Sequence, residues 1–196
     1  MGGLLSVLAP IAYANEALLR LGRAIGIVAI ALMVLAILIQ VFFRYVLNNA
    51  LPWPDEAARF CMLWMTGLMA PTAFRRGGFV AIDMFMRALP RVPGQMLSLF
   101  LLLISLVVLL VATRIGWNEV TGFGGQFTTA SLYVPASLGF DEWTRVPRSW
   151  MMASLLVGVV LLAAVNVELI LRSIVTLLGG GLRLPPIAGA EFLGSE

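Results

Sequence analysis

Between Arg23 and Arg44 lie 20 consecutive uncharged residues, AIGIVAIALMVLAILIQVFF. A helix rises about 1.5 Å per residue, so this run is roughly 30 Å long, the thickness of a bilayer's hydrocarbon core. In lipid every backbone N–H and C=O must be satisfied within the protein, which leaves a helix as the conformation for an isolated apolar run. Two more uncharged runs cover 92–113, with Pro93 near its start, and 149–167; a fourth stretch, 57–74, carries one charge, Arg59. With 61% hydrophobic and 12% charged residues, the chain lies far from the roughly 45–50% and 25% of soluble domains. The expectation is an all-α integral membrane protein. Its four transmembrane helices fall at about 24–43, 57–74, 94–113 and 149–167, within a membrane domain at 23–172.

The segments between the spans divide by pattern. Residues 1–22 lack a basic stretch ahead of the apolar part, which argues against a cleaved signal peptide. Pro10 interrupts them, and Asn15 is placed to cap a helix before Glu16, so an interfacial or cytoplasmic lead-in is expected. Residues 79–89 put Phe79, Ile82, Met86 and Leu89 at helical spacing, with Asp83 and Arg87 four apart. That is too short to cross and suits an amphipathic helix lying at the membrane surface between the second and third spans. The outer loop 115–148, rich in Gly, Thr, Ser, Pro and aromatic residues, reads as an ordered cap. Residues 173–196 form a cytoplasmic tail without amphipathic period.

All 13 basic residues are arginine, and they stand singly or in pairs beside apolar runs rather than in a basic stripe, which excludes a nucleic-acid partner. With both termini cytoplasmic, Arg20, Arg23, Arg75, Arg76, Arg87, Arg91, Arg172 and Arg183 lie inside, and Arg44, Arg114, Arg145 and Arg148 outside. The excess of inner arginines favours that orientation. There is no His and one Cys, Cys61. Histidine-ligated haem or metal and an iron–sulfur cluster are thereby excluded, and no cofactor is expected.

A carrier of ions needs ionisable or strongly polar groups at membrane depth. The sequence offers few: Gln40, Glu56 and Arg59 near one interface, Asn166 and Glu168 near the other. Asp55 and Glu56 sit four and three residues ahead of Arg59, the spacing at which helical side chains pair. A structural or subunit-contact role is the favoured reading for all three. Gln40 and Asn166 suit hydrogen bonds between helices. Trp53 suits the interfacial aromatic belt, and Trp64, deeper in the second span, suits an anchor for a partner helix or lipid.

The ordered set Arg44-Tyr45, Pro52-Trp53, Glu56, Arg59, Trp64, Arg75-Arg76-Gly77, Asp83 and Pro90 resembles the small, DctQ-like membrane subunit of tripartite ATP-independent periplasmic (TRAP) transporters. The resemblance implies a bacterial inner-membrane transport subunit, not an enzyme. It implies a large elevator-type membrane subunit as partner, bearing the substrate and sodium sites, and a periplasmic binding protein that delivers an organic acid. In that setting Arg44, Trp53, Asp55, Glu56, Arg59, Trp64, Arg75, Arg76 and Asp83 take subunit-interface or structural roles, and none binds substrate. Where family members commonly carry a His after the second span, this chain has Phe79. The competing expectation is an independent small homo-oligomeric transporter using Glu56 or Glu168.

Overall fold

The computed structural model describes residues 2–77, 91–135 and 143–180. The expected surface helix at 79–89, with Phe79, Asp83 and Arg87, and the tail beyond 180 lie outside the described residues. Among the described residues four helices dominate: α1 (Gly2–Tyr45), α2 (Trp53–Arg75), α3 (Arg91–Thr121) and α4 (Arg148–Leu177). A 3-10 turn (Phe123–Gln126) and an antiparallel hairpin, β1 (Thr128–Pro135) with β2 (Trp143–Pro147), connect α3 to α4. The expectation of a wholly α fold is corrected by that hairpin.

The lead-in and the first span form one helix, which passes through Pro10. A proline removes one i to i−4 hydrogen bond, yet in apolar surroundings the remaining bonds are too valuable to give up, and membrane helices tolerate it. Asn15 therefore sits inside a helix and caps nothing. Buried positions on α1 repeat every seven residues: Leu8, Asn15, Ala29 and Ala36 with Gly22 in one register, Ala12, Leu19 and Gln40 with Gly26 in the other. This 3.5-residue period keeps one narrow seam turned toward neighbouring helices. Small residues in the seam permit close approach: a Cβ on Gly26 would stand 2.9 Å from the Met69 side chain of α2.

Helix α2 starts behind Pro52, with Pro54 in the first turn and Asp55 and Glu56 against the positive end of its dipole. It ends at Arg75, where Gly77 takes φ +93°, a left-handed conformation that terminates helices. Helix α4 is the hub, packing on α1, α2 and α3, while α3 packs chiefly on α4. Gly67 of α2 and Gly158 of α4 meet backbone to backbone: a Cβ built on Gly158 lies 2.8 Å from both Cα and O of Gly67. Asn166 crosses from α4 to donate to the Leu102 carbonyl of α3 at 3.2 Å, the interhelical tie expected of it.

Helix α3 continues through Arg114 to Thr121, which shortens the expected outer loop. Arg114 is exposed, and a long side chain can carry its charge to water from a helix interior, so the charge does not end the helix. Among the described residues, α1 from Leu8, α3 and α4 are long and apolar enough to cross a membrane. Helix α2, with Arg59, Pro71 and two threonines inside, does not reach that apolarity.

Candidate functional site

Two polar centres lie at opposite ends of the bundle. At the first, α1, α2 and α4 converge on Glu168, whose side chain is wholly buried. Arg75, the last residue of α2, reaches Glu168 side-on, Nε to Oε2 at 3.1 Å and Nη2 to Oε1 at 2.9 Å. Its remaining N–H groups donate to the Ala12 carbonyl at 3.2 Å and to the Glu16 carboxylate. Arg172, one turn along α4, donates to Glu168 Oε1 at 2.9 Å, and Asn15 Nδ2 donates to Oε2 at 2.8 Å. Arg23 and Arg20 approach Glu16 at 3.6 and 3.9 Å from the rim. The planar, five-donor guanidinium is the group that can serve two carboxylates and a carbonyl at once.

This network joins residues 12–23, 75 and 168–172, three stretches brought together because α1 and α4 each bring one end to the end of α2. Of its members the sequence singles out Arg75 for a structural or interface role and Glu168 as an ionisable group near one interface, which the competing transporter reading would use. Asn15, Glu16 and Arg172 were legible as boundary markers only. The missed signal was the seam: Asn15 continues the Leu8, Ala12, Leu19 repeat, and a polar side chain in a buried stripe must have a partner.

At the opposite end, Glu56 fixes the hairpin to α2. Its Oε1 accepts from the Ala130 N–H at 3.1 Å and its Oε2 from the Ser131 N–H at 2.6 Å. Ser131 Oγ lies 2.6 Å from Oε2 and 2.9 Å from the Pro52 carbonyl, within reach to donate to either. Partial burial pushes the Glu56 carboxyl pKa up. Hydrogen bonds from the Ser131 hydroxyl and the Ser131, Ala130 and Leu132 amides outweigh it and hold the group below its ordinary 4.5. A carboxyl depressed in the folded state stabilises above its unfolded pKa, and that contribution disappears as pH falls through the lower folded value. Amide exchange at Ala130 and Ser131, corrected for its intrinsic pH dependence, should stay slow down to about pH 4.5 and accelerate below it. In Glu56→Gln it should be faster at neutral pH and lose that acid step.

The pairing of Asp55 and Glu56 with Arg59 does not form. Glu56 faces β1, Asp55 accepts a long 3.5 Å bond from Gln40 Nε2, and Arg59 has no ion pair among the described residues. Arg59 is exposed and lines a cavity of about 290 Å³ with Glu56, Thr128, Arg148 and Met151. Arg44 is exposed with its guanidinium 5.9 Å from the Tyr45 ring, and Trp53 is partly exposed at the start of α2. Trp64 is half-buried 6.3 Å from Phe60, and its Nε1 is buried without a hydrogen-bond partner among the described residues. Arg76 stands beyond α2, its N–H returning to the Thr72 carbonyl at 3.2 Å.

A family model, that of the DctQ component of tripartite ATP-independent periplasmic transporters, matches residues 33–176. The chain belongs to the DctQ family. No curated protein and no solved structure matches it. The matched stretch includes α2, the hairpin, α3 and nearly all of α4, so both polar centres lie within the DctQ framework except for the α1 residues 12–23 of the first. As a DctQ component the chain is a transporter part rather than an enzyme, a multi-pass protein of the inner membrane that works with other TRAP subunits.

Proposed function

We propose that this chain is the stationary scaffold subunit of a TRAP transporter, pairing with a larger membrane subunit that binds substrate and sodium and moves them across the bilayer. The uptake served is sodium-coupled, fed by a periplasmic binding protein, and its cargo is an organic acid. All four helices cross, α2 sheltered between α1 and α4, with both termini cytoplasmic and the hairpin outside. The observation that carries this reading is the fate of the buried charges. Glu168 and Arg75, the most buried of them, are saturated by each other, Glu16, Arg172 and Asn15. A coupling site must bind and release an ion, and a carboxylate committed to two guanidiniums and an amide is poorly suited to that. What remains is a stiff bundle whose α1 and α3 turn long apolar faces outward, among them Ile27, Val28, Leu35, Leu38, Val107 and Val108. A moving transport domain needs such a frame to push against.

Reconstitution separates this from the independent-transporter reading. Proteoliposomes with this chain alone should show no organic-acid flux. The large subunit with its binding protein should transport at least about tenfold more slowly without this chain than with it, the effect of roughly 1.4 kcal/mol on the limiting barrier. Equal rates with and without it overturn the scaffold role, and flux from this chain alone establishes the alternative.

A further inference from the structure

The cavity under the hairpin shares Glu56 and Ala130 with the hairpin clamp, but the side chains of its two arginines take part in neither the clamp nor the ion network. Arg59 enters it from α2 and Arg148 from the first residue of α4, both exposed and both without an ion-pair partner among the described residues. The acidic group in the wall, Glu56, already accepts from Ala130 and Ser131 of β1. Thr128 adds a hydroxyl and Met151 an apolar side. At about 290 Å³ the space is several times the roughly 30 Å³ share of a water molecule.

Its depth is equally telling. The apolar part of α4 begins just past Arg148, and Trp53, Trp143 and Trp150 are exposed at the same end, the arrangement that marks the headgroup level of a bilayer. Two guanidinium forks with a hydroxyl beside them suit the oxygens of a phosphate, and an apolar wall suits the glycerol and acyl carbons behind it.

We propose that this cavity binds a phosphate monoanion held at the membrane interface, the phosphodiester of an anionic phospholipid. Its occupant would bridge α2 and α4 beneath the hairpin. The inference is independent of the scaffold reading, because its readout needs no second subunit.

The test uses the delipidated full chain in neutral detergent, with native mass spectrometry and a thermal-shift assay. The probes are phosphatidylglycerol, diacylglycerol of the same chains, and inorganic phosphate. Phosphatidylglycerol should bind and raise the melting temperature, and diacylglycerol should do neither. Arg59→Gln/Arg148→Gln should weaken phosphatidylglycerol binding at least about tenfold, Arg59→Lys/Arg148→Lys should weaken it less, and Arg114→Gln, outside the cavity, should leave it unchanged. If the double glutamine variant does not fold, the single variants carry the same comparison, each with a partial loss. Displacement of the lipid by millimolar inorganic phosphate assigns the site to free anions as well. Equal binding of phosphatidylglycerol and diacylglycerol overturns the proposal, as does equal loss in the Arg114 variant. So does intact lipid binding in the glutamine variants accompanied by lost response to a binding protein, which would assign the arginines to a protein partner.

Discussion

Glu168→Leu is expected to destabilise the chain by about 3–5 kcal/mol, the usual consequence of removing one partner from a buried ion pair, or roughly 6–20 °C in Tm at this chain length. The loss comes from what is left behind. Arg75, 6% exposed, would keep only Glu16 and the Ala12 carbonyl, and Arg172 and Asn15 would each lose a partner. Arg75→Leu should destabilise for the mirror reason, and the double variant should fall short of the sum of the two by about 0.5–3 kcal/mol, the coupling expected of residues in contact. Arg75→Lys retains charge but not the side-on fork, so it should lie between wild type and leucine. Melting followed by size-exclusion in detergent decides it: a Glu168→Leu protein that melts with the wild type refutes the role given to this network.

Gly158→Leu should be the next most damaging change. Even the first carbon of a new side chain would stand 2.8 Å from the Gly67 backbone, and no rotamer can relieve a clash at Cβ. Helices α2 and α4 would have to move apart, at a cost of about 1–3 kcal/mol for alanine and more for leucine. Gly67→Ala should behave alike, since its Cβ would meet the Ser154 carbonyl at 2.4 Å. Gly124→Ala serves as the control: its Cβ finds only the Glu119 carboxylate, at 3.7 Å, and should leave Tm unaltered. If all three alanine variants melt together, the close crossing is not holding these helices.

The spans were legible because apolar length is a local property: uncharged runs bounded by charged residues mark α3 and α4 to within about three turns and the C-terminal end of α1 to within two residues, while the start of α1 lies 22 residues ahead of its run. Their ends were less so. Charge reads as a stop signal at Arg114, whereas the helix stops eight residues later at Gly122, whose N–H returns to the Asn118 carbonyl at 2.7 Å. The hairpin escaped because it depends on Glu56, 74 and 75 residues distant from the β1 amides it accepts from. Glu56, Asp55 and Arg59 were visible as a local triad, yet local spacing offered a pairing that a pair of distant amides outcompeted. The Arg75–Glu168 centre is separated by 93 residues in sequence, and composition cannot supply such a juxtaposition. The family motif, by contrast, was legible in the sequence on and around α2, and the family match extends it across most of the chain.

Helix α1 has 44 residues, which at about 1.5 Å each is some 66 Å of rod, more than twice a hydrocarbon core of about 30 Å. Fitting all of it into that core would require leaning roughly 60° from the normal, beyond the 0–40° that helices adopt. Part of the rod must therefore stand clear of the hydrocarbon. Its C-terminal end is marked by Arg44, so the surplus falls at the N-terminal end, where Arg75 and Glu168 grip residues 12–16. The gripped point behaves as a pivot held by three helices, and the turns beyond it as a short arm. A load applied to that arm would be delivered to the ion network first and to the apolar seam only afterwards.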